Sequence, residues 1–150
     1  MSIRDVIATL NQMEADRVIE PYAIGGAVAA TFYLEPVATL DVDVFVAFGA
    51  EPAMIGGWPV QFLPPATPLV EEALAHARKI DVDGVPARVF SAEHLAAIAL
   101  QTGRAKDKAR LLQFLEEGAL DGPRFQEIVQ RYGLVDAWTR FERQFISDKP

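Results

Sequence analysis

The apolar positions change period along the chain, and that period is the first guide to its architecture. Ile3, Val6, Ile7, Leu10 and Met13 recur at helical spacing over residues 2–18, with Ser2 placed to cap the helix. "PYAIGG" reads as a short strand running into a glycine turn. Residues 27–34 are almost wholly apolar, which predicts a buried helix ending before Pro36. Residues 40–48 alternate as a strand does. "GAEPAMIGGWP" then reads as a loop, and "VQFL" at 60–63 as a short strand closed by Pro64 and Pro65.

Leu69 to Lys79 has the pattern of a helix, and "KIDVDGVPARVF" that of a hairpin turning at Asp83-Gly84. From Ser91, placed as a cap, the pattern is helical to about Thr102, and again near 105–117, 123–131 and 134–146. Asp121 and Pro123 mark one start, while Gly118 and Gly133 mark stops. Mixed elements followed by helices alone predict an α+β fold: a mixed sheet flanked by helices, with a C-terminal helical segment packed on it. No repeat or linker interrupts the chain. The expectation is one domain over residues 1–150, with a mixed core to about 103 and a helical part from about 104.

Composition agrees with a packed core. A chain of 150 residues, 51% hydrophobic, can bury roughly 70% of its unfolded surface. No apolar run reaches the roughly 18 residues of a membrane span, and no basic-then-apolar leader opens the sequence. Cysteine is absent, which removes disulfides and thiolate metal sites and fits a reducing compartment. A soluble, cytoplasmic protein is expected, with no membrane partner.

Charge narrows the chemistry. Residues 1–77 carry 2 basic and 10 acidic side chains, whereas residues 78–150 carry 12 basic and 11 acidic. Neither lysine nor arginine occurs between Arg17 and Arg78. A sequence pI near 4.8 argues against a DNA-coating surface, which needs several phosphate-neutralising side chains on one face. An anionic ligand would have to be met by a metal, by backbone N–H groups, or by cations from the second half.

Two "DVD" sequences then stand out. In the strand at 40–48, alternation puts Asp41, Asp43 and Phe45 on one side and Val42, Val44 and Val46 on the other. Carboxylates at i and i+2 lie about 7 Å apart on that face. Unscreened, they repel by about 2 kcal/mol at an effective dielectric near 20. Magnesium relieves that repulsion, bound through one or two carboxylates plus substrate phosphates; a strand with one wet face accounts for the same residues without a metal. Asp81 and Asp83 flank Val82 at a predicted hairpin turn, where polar side chains need no special role.

Gly25-Gly26 falls between a predicted strand and a buried helix, where glycine lets backbone N–H groups approach an anion. Tight strand–helix packing explains the glycines equally well, though not the carboxylates that follow. Neither a P-loop nor a GxGxxG pattern is present.

"GG", fourteen residues, then "DVDVFV" resembles the opening motif of the DNA polymerase β-type nucleotidyltransferase superfamily. "VPARVFSAEHLAAIALQTGRAKDKARLLQFL" at 85–115 is similar to small bacterial members, including the AbiEii-like toxin group. The resemblance covers roughly residues 22–115. It implies a nucleotidyltransferase-like fold and transfer of a nucleoside monophosphate from a nucleoside triphosphate to an RNA, protein or small-molecule acceptor.

On this resemblance Asp41 and Asp43 hold Mg2+ or Mn2+ and are catalytic. Gly25 and Gly26 cradle phosphates, and Arg104, Lys106 and Asp107 form a late polar element near the triphosphate. An ordinary solvated helix start accounts for "GRAKDKAR" as well. The superfamily's third carboxylate has no evident counterpart, and the strand that best occupies its place offers Gln61, a neutral and weaker ligand. Three readings therefore stand: an enzyme, a catalytically degenerate nucleotide-binding or regulatory module with a cognate antitoxin-like partner, and a plain interaction domain. His76 and His94 are expected at surface or boundary positions on helices, and Trp58 and Trp138 in packing.

Overall fold

The opening strand–glycine–helix pattern forms as read from the sequence. In a computed structural model, which describes residues 3–34, 42–46, 53–55 and 58–146, helix α1 (Ile3–Ala15) leads to β1 (Ala23–Gly25) and α2 (Gly26–Ala30). Strands β2 (Val42–Phe45), β3 (Ala53–Ile55) and β4 (Trp58–Leu63) follow, then α3 (Pro68–Ala75) and the hairpin β5 (Arg78–Val82) and β6 (Val85–Val89). The remainder is helical: α4 (Ala92–Thr102), α5 (Ala105–Glu116), α6 (Gly122–Arg131), α7 (Val135–Phe141) and a π-helical turn, Glu142–Ile146. The fold is α+β.

Six strands make one mixed sheet in the order β3-β4-β2-β1-β6-β5. β1 runs antiparallel to β2 and parallel to β6. β2 runs parallel to β4, while β3 and β5 close the edges antiparallel to their neighbours. Val44 and Val46 are buried, and so are Val60 and Phe62 on β4, as alternation requires of one core-facing side. The β5–β6 turn is the one its sequence specifies. Asp83 and Gly84 have φ of 50° and 85°, the pair of positive values that a two-residue type I′ turn needs.

Three boundaries differ from the sequence reading. The supposed loop at 49–59 contains β3, and β4 begins at Trp58; Ala53 pairs with Val60 and Met54 with Pro59. Three residues followed by two glycines and a proline give no local strand signal, so pairing with β4 creates the strand. Helix α3 stops at Ala75 rather than Lys79, because Arg78 and Lys79 join the ladder opposite Val89 and Arg88. Helix α2 stops at Ala30. The chain continues for one tighter turn, with Phe32 N–H donating to Ala29 O and Tyr33 N–H to Ala30 O (3.1 and 3.0 Å), while Tyr33 Oη donates to Phe90 O at 2.8 Å.

The chain divides into two compact units, Met1–Ser91 and Ala92–Pro150, with α4 in the second. In the first unit α1 is tied to the hairpin, Asn11 Nδ2 donating to Pro86 O (2.7 Å) and Arg4 Nε to Asp83 O (2.9 Å). In the second, Glu93 on α4 accepts from the Asp121 N–H at 2.9 Å and pairs with Arg124 at 3.5 Å. Asp121 in turn caps α6 by accepting from the Arg124 N–H. No helix among the described residues is long and apolar enough to cross a membrane.

Candidate functional site

Asp43 lies at the centre of the sheet. β2 is flanked by β4 and β1, and Asp43 is in register with Gln61 on one side and Gly25 on the other. Residues in register on paired strands project to the same face, so Asp43, Phe45, Gln61 and Gly25 share one side. Val44, Phe62 and Ile24 share the other, which is buried. Gln61 is exposed and Asp43 half-buried, so this face is reachable from solvent at both positions. Asp41, the other carboxylate of the pair, lies outside the described residues.

The two glycines have different neighbours. At Gly25 an added Cβ would stand 2.6 Å from Phe45 Cε2 and 2.9 Å from Phe90 Cε2. Those two rings are themselves packed at 4.9 Å between centroids. Gly25 is thus fixed by the aromatic pair above it. Gly26 has φ +64°, and an added Cβ there would collide with Asp43 Oδ2. Left-handed backbone is costly for residues with a Cβ, and only a residue without one lets this carboxylate settle against the turn. Asp43 and the Gly26 backbone form a single piece of structure, built from a strand and the turn that precedes it by sixteen residues.

Gln61 stands one strand spacing, about 4.8 Å, from Asp43. The second "DVD" is remote from both. β1 and β6 separate β5 from β2, three spacings or about 14 Å. Asp81 Oδ2 accepts from the Gly84 N–H at 3.1 Å, and Asp83 occupies the turn itself. Their position explains them as hairpin residues.

The "GRAKD" element opens α5 in the second unit. Arg104 is the N-cap residue, and Asp107, only 2% exposed, binds what precedes it. Its Oδ2 accepts from Thr102 Oγ1 (2.7 Å), Arg104 Nε (2.6 Å) and the Arg104 N–H (3.2 Å), and its Oδ1 accepts from Arg104 Nη2 (3.2 Å). Burial pushes the Asp107 carboxyl up, but the hydrogen bonds from Arg104 and Thr102 and the Arg104 charge together hold it below its ordinary value. Asp107 therefore closes the α4–α5 turn, whereas Lys106 projects from the first turn exposed.

His94 corrects the sequence reading. It is 2% exposed, because residues 92–97 of α4 are buried all round, and a helix covered on every side leaves no polar face to read. His76 is exposed at the end of α3. Trp138 packs as expected, edge-on to Phe125 at 5.1 Å and stacked with Phe141 at 5.9 Å. The side chain of Trp58 lies outside the described residues.

Magnesium binds through one or two carboxylates together with substrate phosphates. Asp43 offers one such carboxylate, with the Gln61 amide on the neighbouring strand. Among the described residues no three His, Cys, Asp or Glu side chains converge on one point. This donor set fits a cation shared with a phosphate ligand, and it does not fit a cage made of protein alone.

No protein-family model matches the chain, and no curated protein is significantly similar to it. Solved structures are. An antigenic nucleotidyltransferase-like protein from Paracoccidioides brasiliensis superposes with a TM-score of 0.56 at 16% identity, over 89% of this chain and 90% of that one. A candidate nucleotidyltransferase from Thermotoga maritima gives a TM-score of 0.48 at 15% identity, over 78% of this chain and 96% of that one. Identity this low speaks to architecture and not to chemistry. The mixed sheet, the glycine turn and the helical C-terminal part together make a nucleotidyltransferase-like fold.

Proposed function

We propose that this protein binds a nucleoside triphosphate with Mg2+ or Mn2+ and transfers the nucleoside monophosphate to an RNA, protein or small-molecule acceptor. The observation that carries this reading is the contact of the Asp43 carboxylate with the positive-φ turn at Gly26. It sets an anionic side chain beside the half-buried Gly26 backbone, an arrangement that suits a metal–phosphate ligand. Asp43 and Asp41 would hold the cation, and the Gly25-Gly26 backbone would face the phosphates. Arg104 and Lys106 would supply positive charge that residues 18–77 lack, with Asp107 orienting Arg104. Bound magnesium would supply neutralisation of the triphosphate.

A second reading, a nucleotide-binding module with little or no turnover, is favoured by Gln61. An amide in register with Asp43 provides no charge and one weaker oxygen ligand. Such a module would act by interaction, as in a toxin–antitoxin-like pair with a cognate antitoxin-like protein.

The test is incubation with each labelled nucleoside triphosphate, either metal and cell lysate, beside an Asp43→Asn control. Label transfer lost in the control supports the enzyme. Metal-dependent nucleotide binding without transfer, weakened in the control, supports the module. Nucleotide binding unchanged by Asp43→Asn defeats both.

A further inference from the structure

The second unit contains a feature that nucleotide transfer does not use. A cavity of about 350 Å3 lies among α4, α5, α7 and the π-helical turn. That size falls within the range of small-molecule pockets. Leu100, Leu111, Leu134 and Phe141 give it apolar walls, and Lys108 and Arg140 also line it, whereas among the described residues no aspartate or glutamate does.

That imbalance is the central observation. The helices around the cavity carry acids as well as bases, Glu116, Asp136 and Glu142 among them, yet among the described residues only bases of the two reach its wall. Neither Lys108 nor Arg140 has an ion pair among the described residues. Two cations facing one partly apolar cavity repel each other and gain when an anion enters. Leu100, Leu111, Leu134 and Phe141 are themselves buried, so an apolar body gains there by close packing and not by covering new surface. Gln144, in the π-helical turn, completes the wall, and π-helical turns occur frequently at functional sites.

We propose that this cavity binds a small amphipathic anion: an organic acid with one carboxylate or phosphate head, met by Lys108 and Arg140, on a compact apolar body lying against Leu100, Leu111, Leu134 and Phe141. The site belongs to the helical unit alone and stands independently of the nucleotide reading.

Calorimetric titration with three probes of one body and different heads tests this: 1-naphthoate, 1-naphthyl phosphate and 1-naphthol. The two anions should saturate at one per chain and bind at least tenfold more tightly than the neutral naphthol. The tighter of the two identifies the head group as carboxylate or phosphate. Lys108→Gln with Arg140→Gln should weaken both anions at least tenfold and change naphthol less than twofold. Arg131→Gln with Arg143→Gln, two cations outside the cavity, should change nothing. The wild-type comparison of charged and neutral probes needs no variant, so a folding defect cannot mask the answer. Naphthol binding as tightly as the anions, equal losses in the two double variants, or no saturable binding of any probe would each overturn the proposal.

Discussion

Asp43 and Gln61 face each other across the parallel β2–β4 ladder, in register and on the same side of the sheet. A carboxylate opposite an amide is electrostatically quiet. A carboxylate opposite a carboxylate at about 5 Å would cost between about 1 and 3 kcal/mol as the effective dielectric falls from water toward 20. The pair as it stands therefore needs no counter-ion for stability, whatever ligand it meets.

Gln61→Asp should reinstate that need. In chelator the variant should unfold at lower urea than wild type, by about 1–3 kcal/mol. Millimolar Mg2+ should restore most of the loss and stabilise wild type by less. Urea titrations with and without metal measure this without any activity assay. If the enzyme reading holds, the same variant should also raise label transfer. A variant indifferent to Mg2+ would mean that position 61 does not share a cation site with Asp43.

Gly26→Ala should be among the most damaging single-methyl changes in the chain. It adds a Cβ at φ +64° and drives that carbon into the Asp43 carboxylate, for about 2–4 kcal/mol. Gly84→Ala provides the comparison. Its φ is +85° with nothing near the new carbon, so it should cost only the backbone term of about 1 kcal/mol. In an Asp43→Ala background the excess at Gly26 should shrink, and a double-mutant cycle reads the coupling.

Asp107 predicts an acid-labile stability term. Its folded-state value is lowered from 3.8, so the unfolded chain binds the proton more readily. The stabilisation is present above the unfolded value and is lost as pH falls through the folded one. Asp107→Asn should cost about 1–3 kcal/mol at neutral pH. The gap between variant and wild type, measured as urea midpoints, should close as the pH drops below about 4. A gap that stays constant to pH 3 would remove Arg104–Asp107 as the cause.

Lys106 offers the cleaner test of the cations proposed for the triphosphate. Reversing Arg104 would also break the Asp107 cap, so its effect on nucleotide would be confounded with stability. Lys106→Glu should weaken triphosphate binding several-fold at low salt and less at high salt, with thermal stability unchanged. Arg131→Glu is the control. Equal effects at the two positions would leave "GRAKD" as a helix start and nothing more.

The chain determined locally what local chemistry can specify. Asp83-Gly84 folds as a type I′ turn because few other residue pairs accept two positive φ values. Asp121 and Thr67 cap the helices they precede, each accepting from a first-turn N–H. Alternation alone separated Asp43 and Phe45 from Val44 and Val46. Other features required pairing or packing between residues far apart. β3 has too short and glycine-bounded a sequence to announce itself, and the end of α3 was decided by the ladder that Arg78 and Lys79 join. The burial of His94 follows from neighbours on all sides of α4. Superfamily resemblance pointed to Gln61, but its register with Asp43 is a non-local fact of the β2–β4 pairing. The division of work between Gly25, held beneath two rings, and Gly26, held against a carboxylate, is tertiary for the same reason. A sequence states which side chains alternate; the hydrogen-bonded ladder alone states which of them meet.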